Sequence, residues 1–142
     1  MMNDQTEGEK GKGASGNILL IDDDKFLVDM YSMKFAGAGF NVQACLSVAD
    51  ALRFLRDGFA AEAIVFDIVM PEHDGFSFLQ TLDAEHLAPD AVKIALTNQG
   101  NDAEKAKAEG LGVDRYVVKA SMIPSEVVEA VKEEVKKHGK KK

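Results

Sequence analysis

Cysteine is nearly absent: Cys45 is the only one in 142 residues. A lone cysteine excludes an internal disulfide and leaves no basis for cysteine-rich zinc ligation. Within a strand it serves as a small core residue rather than a nucleophile. Long apolar runs are missing too. No stretch approaches the roughly 18 apolar residues of a membrane span, and the first residues lack the apolar core of an export signal. No membrane contact is expected, and the cytoplasm is the expected compartment. Positive charge is scarce outside the ends. The formal net charge is −7, but between Asn17 and Val135 there are 21 acids and 10 basic residues, a net of −11. Such a surface repels nucleic acid, and the terminal run KKHGKKK reads as a solubilising tail, so direct nucleic-acid binding is not expected. What remains, 46% hydrophobic and 29% charged residues, suits a single folded domain. Residues 1–16, rich in Gly, Lys and Glu, read as a disordered leader. Residues 17–137 form the domain and 138–142 a basic tail.

The organising stretch is AIVFDIVMPEHDG, residues 63–75. Four apolar residues run into a single acid, Asp67, which predicts a strand buried on both faces that ends in a loop. Pro71 cannot continue a ladder, and Asp74-Gly75 is a turn signal. Asp67 therefore falls at the carboxyl end of a strand, where open α/β sheets place their ligands.

The same grammar recurs along the chain. Ile18-Leu19-Leu20-Ile21 predicts a first strand ending in Asp22, Asp23 and Asp24. Phe26, Met30 and Met33, with Leu27 and Tyr31 beside them, recur at helical spacing, the methionines acting as core filler, and Gly37-Ala38-Gly39 closes that helix. A second strand runs from Phe40 to Ala44 or Cys45. Ser47 caps a helix whose stripe is Val48, Leu52 and Leu55. After the Asp67 strand, a helix over about Phe76–Glu85 turns Phe76, Leu79 and Leu82 inward. Val92–Leu96 is a fourth strand ending at Thr97, Asp102–Glu109 a short polar helix closed by Gly110, and Arg115–Val118 a fifth strand ending at Lys119. Pro124 opens a last helix with the stripe Val128, Val131 and Val135, and Gly139 follows it. Five strands alternating with five helices predict βαβ units and a doubly wound parallel sheet with helices on both faces.

Every strand that ends in a chemically capable residue ends at one edge of that sheet. In a sheet that starts at a central strand, the first and third strands are neighbours across the topological switch point, so Asp22, Asp23 and Asp67 share one crevice. Like charges so close need a cation, and Mg²⁺, a hard ion that takes carboxylate, phosphate and water oxygens, fits. Lys119 adds a fixed positive charge and Thr97 a hydroxyl. This set suits phosphoryl transfer, and a carboxylate can itself be the nucleophile, giving an aspartyl phosphate.

From Ile18 to about Val135 the chain resembles the receiver domain of two-component response regulators, through ILLIDDD, IVFDIVMPEHDGF, KIALT and DRYVVKA in the family's order and spacing. The resemblance implies the flavodoxin-like receiver fold with strand order 2-1-3-4-5. It makes Asp67 the phosphoryl acceptor from a sensor histidine kinase or histidine phosphotransfer protein. It makes Asp22, Asp23 and the Val69 backbone carbonyl, with Asp67, the Mg²⁺ ligands. Thr97 and Lys119 become the residues that hold the phosphoryl oxygens, and Tyr116 the aromatic that moves with Thr97. It further implies a switched face, about residues 100–136, for a downstream protein or a phosphorylation-dependent homodimer, with no catalysis beyond the domain's own phosphorylation and dephosphorylation. Too few residues follow Val135 for an output domain, so a stand-alone receiver is the expected form. Where the family usually has proline after the lysine, often with a cis bond, this chain has Ala120. A non-proline cis bond costs about 2.5–4 kcal/mol, so a trans bond and a shifted loop are expected. Val69 and Gln99 stand at the two positions that govern phosphate lifetime in the family, and an apolar Val69 implies slow loss of the phosphate.

Other residues carry plainer readings: Asp24 as a first-turn helix acid, Asp74 as a turn former, His73 as an exposed loop residue outside the site, and Phe76, Phe78 and Met70 as packing. Two other classes use related folds. A phosphatase of the haloacid dehalogenase type would use the D-x-D of Asp22 and Asp24, but it leaves Asp67 unexplained and meets Phe26 where a small or β-branched residue is usual. A flavodoxin-like cofactor binder would need a phosphate-cradling loop after the first strand, which is missing.

Overall fold

A computed structural model describes residues 16–70, 74–98 and 100–141, without side-chain detail for 139–141. The readings placed on residues 1–15, Pro71, His73 and Gln99 lie outside the described residues. The elements in order are β1 (Asn17–Ile21), α1 (Lys25–Gly37), β2 (Asn41–Cys45), α2 (Val48–Arg56), β3 (Ala63–Asp67), α3 (Gly75–Glu85), β4 (Val92–Thr97), α4 (Asp102–Gly110), β5 (Arg115–Val118) and α5 (Pro124–Lys141), with a single 3₁₀ turn at Lys119–Ser121. The five strands form one sheet in the order β2-β1-β3-β4-β5, parallel throughout. The expected doubly wound α/β architecture is what the chain adopts.

Why the central strands read as unbroken apolar runs is now visible. Successive side chains of a strand point to opposite faces, and both faces of β1 and β3 are covered, so every residue of the two strands is buried. Leu19, Ile21, Ile64 and Phe66 pack under α2 and α3, whereas Ile18, Leu20, Ala63 and Val65 pack under α1 and α5. The edge strand β2 is only partly covered.

Helix starts are fixed by short polar side chains. Asp24, Ser47, Asp74 and Asn101 each occupy an N-cap and accept hydrogen bonds from backbone N–H groups of the first turn. Asp24 and Asp74 are thus caps, one residue outside their helices, rather than a first-turn acid and a simple turn former. Gly75, the first residue of α3, makes a close approach to the end of β3. A Cβ there would lie 2.9 Å from both the Asp67 carbonyl oxygen and the Ile68 Cα, and the Gly75 N–H donates to the Ile68 carbonyl at 2.8 Å.

Three packing expectations change. On α1 the buried residues are Val28, Tyr31 and Phe35, while Phe26 and Met33 are 76% and 74% exposed. Apolar residues lie on more than one side of this helix, so spacing alone did not fix its inward face. On α3, Phe78 rather than Phe76 is fully buried; Phe76 sits at the margin with the Lys107 ammonium 4.5 Å above its ring. Helix α5 runs on through Gly139 to Lys141 instead of ending before the glycine. One glycine costs a helix only about 1 kcal/mol, which lysines on both sides, good helix formers, offset.

Phe78 is 0% exposed and meets Phe66 edge-on at 5.8 Å between ring centroids, directly behind the strand that ends in Asp67. Phe78→Ala is expected to lower the unfolding free energy by about 3–5 kcal/mol, measurable by urea denaturation.

Candidate functional site

The register of the sheet decides which strand ends meet. Ile21 of β1 pairs with Phe66 of β3, so Asp22 and Asp67 emerge side by side. Asp67 pairs with Leu96, and Thr97 pairs with Val118, which puts Thr97 and Lys119 on the adjacent ends. Asp22, Asp67 and Thr97 are buried at 3%, 3% and 1% exposure, although all three are polar.

Their partners explain how buried charge is tolerated. Lys119 Nζ lies 2.7 Å from Asp22 Oδ2 and 3.3 Å from Asp67 Oδ2, with all three side chains nearly closed to solvent. The remaining oxygen of each acid is used locally. Asp22 Oδ1 accepts the Asp24 N–H at 3.0 Å, and Asp67 Oδ1 accepts the Val69 N–H at 3.2 Å. Each carboxylate is therefore oriented by its own turn and faces the lysine with its other oxygen. The peptide before Ala120 is trans, as expected, since the described residues contain no cis bond. The 3₁₀ turn at Lys119–Ser121 starts at the lysine itself, and Lys119 keeps its reach to both acids.

Burial pushes the Asp67 carboxyl above the usual aspartate range; Lys119 opposes this, and the charge of Asp22 adds to it. For Lys119, burial works to lower the ammonium's pKa, but the hydrogen bond to Asp22 and the charges of Asp22 and Asp67 together raise it. The lysine stays protonated.

Asp23, exposed, joins Asp22 and Asp67 in a group in which each residue can offer one carboxylate oxygen, the three lying within 4.8 Å of one another. Three carboxylates against one ammonium leave two negative charges in a half-closed crevice. That excess, presented entirely by oxygen donors, is what a hard divalent cation neutralises. Asp24 stands apart: its Oδ1 accepts from Phe26 N–H and Leu27 N–H at 3.0 and 3.3 Å, so a D-x-D nucleophile pair has no second member.

Val69 follows Asp67 in the β3–α3 loop with its side chain 67% exposed. Tyr116 pairs with Ala95 and lies half-buried at the sheet edge. The Asn101 N–H donates to its hydroxyl at 3.3 Å, and that hydroxyl donates to Glu104. Glu104 was not singled out from the sequence. The signal was present as Asn101-x-x-Glu104, a cap followed three residues later by an acid.

Comparison with known proteins places this arrangement. Residues 18–132 match the family model of the response regulator receiver domain. Regulatory protein VanRc of Enterococcus gallinarum is 32% identical over 124 residues, 87% of this chain and 52% of that protein. Transcriptional regulatory protein CpxR of Escherichia coli is 31% identical over 102 residues, 72% of this chain and 42% of that protein. The chain thus spans about half the length, or less, of these relatives. Among solved structures, a CheY-like receiver domain protein from Methanospirillum hungatei superposes with a TM-score of 0.80 at 23% identity, covering 89% of this chain and 98% of that one. The BeF3-activated receiver domain of DrrB, a Thermotoga maritima protein, gives 0.72 at 28% identity, covering 84% and 97%. With its motifs at the ends of the strands and its fold matched over nearly the whole described chain, this protein belongs to the response regulator receiver family.

Proposed function

We propose that this receiver domain takes a phosphoryl group onto Asp67 from a histidine kinase or histidine phosphotransfer protein and converts it into a change of its partner-binding face. The observation that carries this reading is the pairing of Lys119 with both Asp22 and Asp67 in a buried crevice. Asp22, Asp23, Asp67 and the Val69 carbonyl would hold Mg²⁺, which supplies the charge neutralisation an entering phosphoryl group requires.

The chain's own residues then divide the work. An Asp67 oxygen attacks phosphorus; the new O–P bond forms as the bond from phosphorus to the donor's imidazole nitrogen breaks. The Val69 N–H and Lys119 keep the acceptor oriented, Asp22 holds Lys119 in place, and the ammonium shifts part of its hydrogen bonding from the carboxylates to the phosphoryl oxygens. Thr97 donates its hydroxyl to the same group, and Tyr116 follows. The bound phosphoryl group adds nearly two negative charges and strong acceptor oxygens, enough to bias a two-state element. The face concerned spans about residues 100–136 and meets a downstream protein or a second copy of the chain. Phe26, Leu46 and Val69 are exposed apolar side chains just beyond the ends of β1, β2 and β3, a rim suited to a donor protein. The domain acts as a switch, without turnover on an external substrate, and its net negative charge disfavours direct contact with nucleic acid. No described helix is long and apolar enough to cross a membrane.

Incubation with Mg²⁺ and acetyl phosphate, read by intact mass, is expected to add one phosphoryl group to the wild type and none to Asp67→Asn. An adduct that survives the substitution would move the nucleophile elsewhere. The exposed apolar Val69 offers no group to orient an attacking water, so the adduct is expected to outlast a chase of seconds in stopped-flow quench measurements.

The raised Asp67 pKa sets a pH dependence in the metal-free protein. A folded-state pKa above the unfolded value means that stability is fullest below the ordinary aspartate range and declines as pH rises through the folded value. In chelator at pH 7, Asp67→Asn is therefore expected to melt above the wild type. The difference should close as pH falls below the ordinary aspartate range. Added Mg²⁺ should raise the wild-type midpoint by mass action.

A further inference from the structure

Helix α4 begins with half of a capping box. The Asn101 side chain accepts the Glu104 N–H at 2.7 Å, the usual first half. In the usual second half, the carboxylate three residues into the helix accepts the N–H of the cap residue. Here that link is interrupted by a side chain from the neighbouring strand. The Asn101 N–H donates to the Tyr116 hydroxyl at 3.3 Å, and the hydroxyl in turn donates to Glu104 Oε1. Tyr116 is inserted into the cap of α4.

Room for this insertion comes from Gly100. A Cβ at that position would lie 3.0 Å from the Tyr116 hydroxyl oxygen, 3.1 Å from its Cε2 and 2.6 Å from Val118 Cγ2. Burial, followed by the hydrogen bond to Glu104, raises the tyrosine's pKa, so the hydroxyl remains a donor. Glu104 is half-buried, which strengthens a hydrogen bond to its charge.

We infer that Glu104 is the positioning residue of the switch: through the Tyr116 hydroxyl it holds the ring over the start of α4, so that departure of the ring and reclosure of the α4 cap are one event. When Tyr116 leaves, the Asn101 N–H loses its acceptor and Glu104 loses its donor. Direct pairing of those two groups satisfies both. The bridged and direct caps are two arrangements of one element, and whatever draws Tyr116 inward selects between them. This inference rests on the reading of Asp67 as phosphoryl acceptor for its signal, but not for the existence of the latch.

The test uses the full chain with fluorotyrosine incorporated, followed by ¹⁹F NMR, and beryllofluoride with Mg²⁺ as phosphoryl mimic. In the free protein, Glu104→Ala is expected to shift the Tyr116 resonance, whereas Glu104→Gln, which keeps an acceptor, stays near the wild-type position. By linkage, Tyr116→Phe, which removes the bridge and leaves both partners of the direct cap, should bind beryllofluoride about 3- to 10-fold more tightly than the wild type. Glu104→Ala loses a bond in both arrangements, so that gain should be absent when it is combined with Tyr116→Phe; a hydroxyl that served only packing would leave the two backgrounds alike. An unmoved Tyr116 resonance in Glu104→Ala, or a beryllofluoride affinity that Tyr116→Phe leaves unchanged, overturns the latch. If no variant, the wild type included, takes up beryllofluoride, the phosphoryl-acceptor reading fails, and the free-protein resonance alone decides whether the latch exists.

Discussion

Everything at the functional edge of this domain depends on one buried cation between two buried acids. At an effective dielectric near 20, two carboxylates about 4 Å apart repel by roughly 4 kcal/mol, and each also loses hydration on burial. Lys119, in contact with Asp22 and Asp67, offsets part of both costs, yet burial still holds the Asp67 carboxyl above the usual aspartate range. The site is left short of positive charge by the amount a divalent ion would bring. On the proposed reading as a phosphoryl acceptor, that imbalance is what suits the site, because a compact crevice of oriented oxygens and one fixed ammonium needs little rearrangement when new charge arrives.

The surrounding structure serves to keep that crevice in shape. Asp24 and Asp74 tie the first turns of α1 and α3 to the loops that carry Asp22 and Asp67. Gly75 lets α3 start in contact with the end of β3. Behind these loops Phe66 and Phe78 fill the space between strand and helix. On the far side the chain leaves Lys119 in a short 3₁₀ turn, Lys119–Ser121. Its first residue points its ammonium at the acids, with Ala120 second in the turn.

From Asp67 the chain of contacts leads outward across β4 and β5. Thr97 is buried at the end of β4 beside Val118, and Tyr116, two residues before Val118, closes the cap of α4. In the proposed latch, a helix whose first turn borrows a hydroxyl from the neighbouring strand is poised between two arrangements of similar hydrogen bonding. That is the physical condition for a small event at the acids to alter a surface several residues away. The helix itself has one fully buried residue of its stripe, Ala108, so its packing offers little resistance.

Much of this was legible in the order of residues. Uniform apolar runs ending in acids announced central parallel strands, because only a strand covered on both faces has no use for alternation. Gly and Asp-Gly punctuation placed the helices between them, and four strand ends carrying Asp, Thr and Lys announced the site. The inward face of α1 was not legible, since Phe26 and Met33 are as apolar as Val28 and Phe35, and only the position of α5 and the sheet decides which are covered. Nor was the course of α5 past Gly139, where local propensity is too weak to fix an end. The bond from Tyr116 to Glu104 joins residues on two different elements, and its distance depends on how β5 lies beside the start of α4. Sequence determined which chemistry sits at each strand end, because that is a local property of the chain. The tertiary structure decided which of those ends meet, because register and layer packing are properties of the whole sheet.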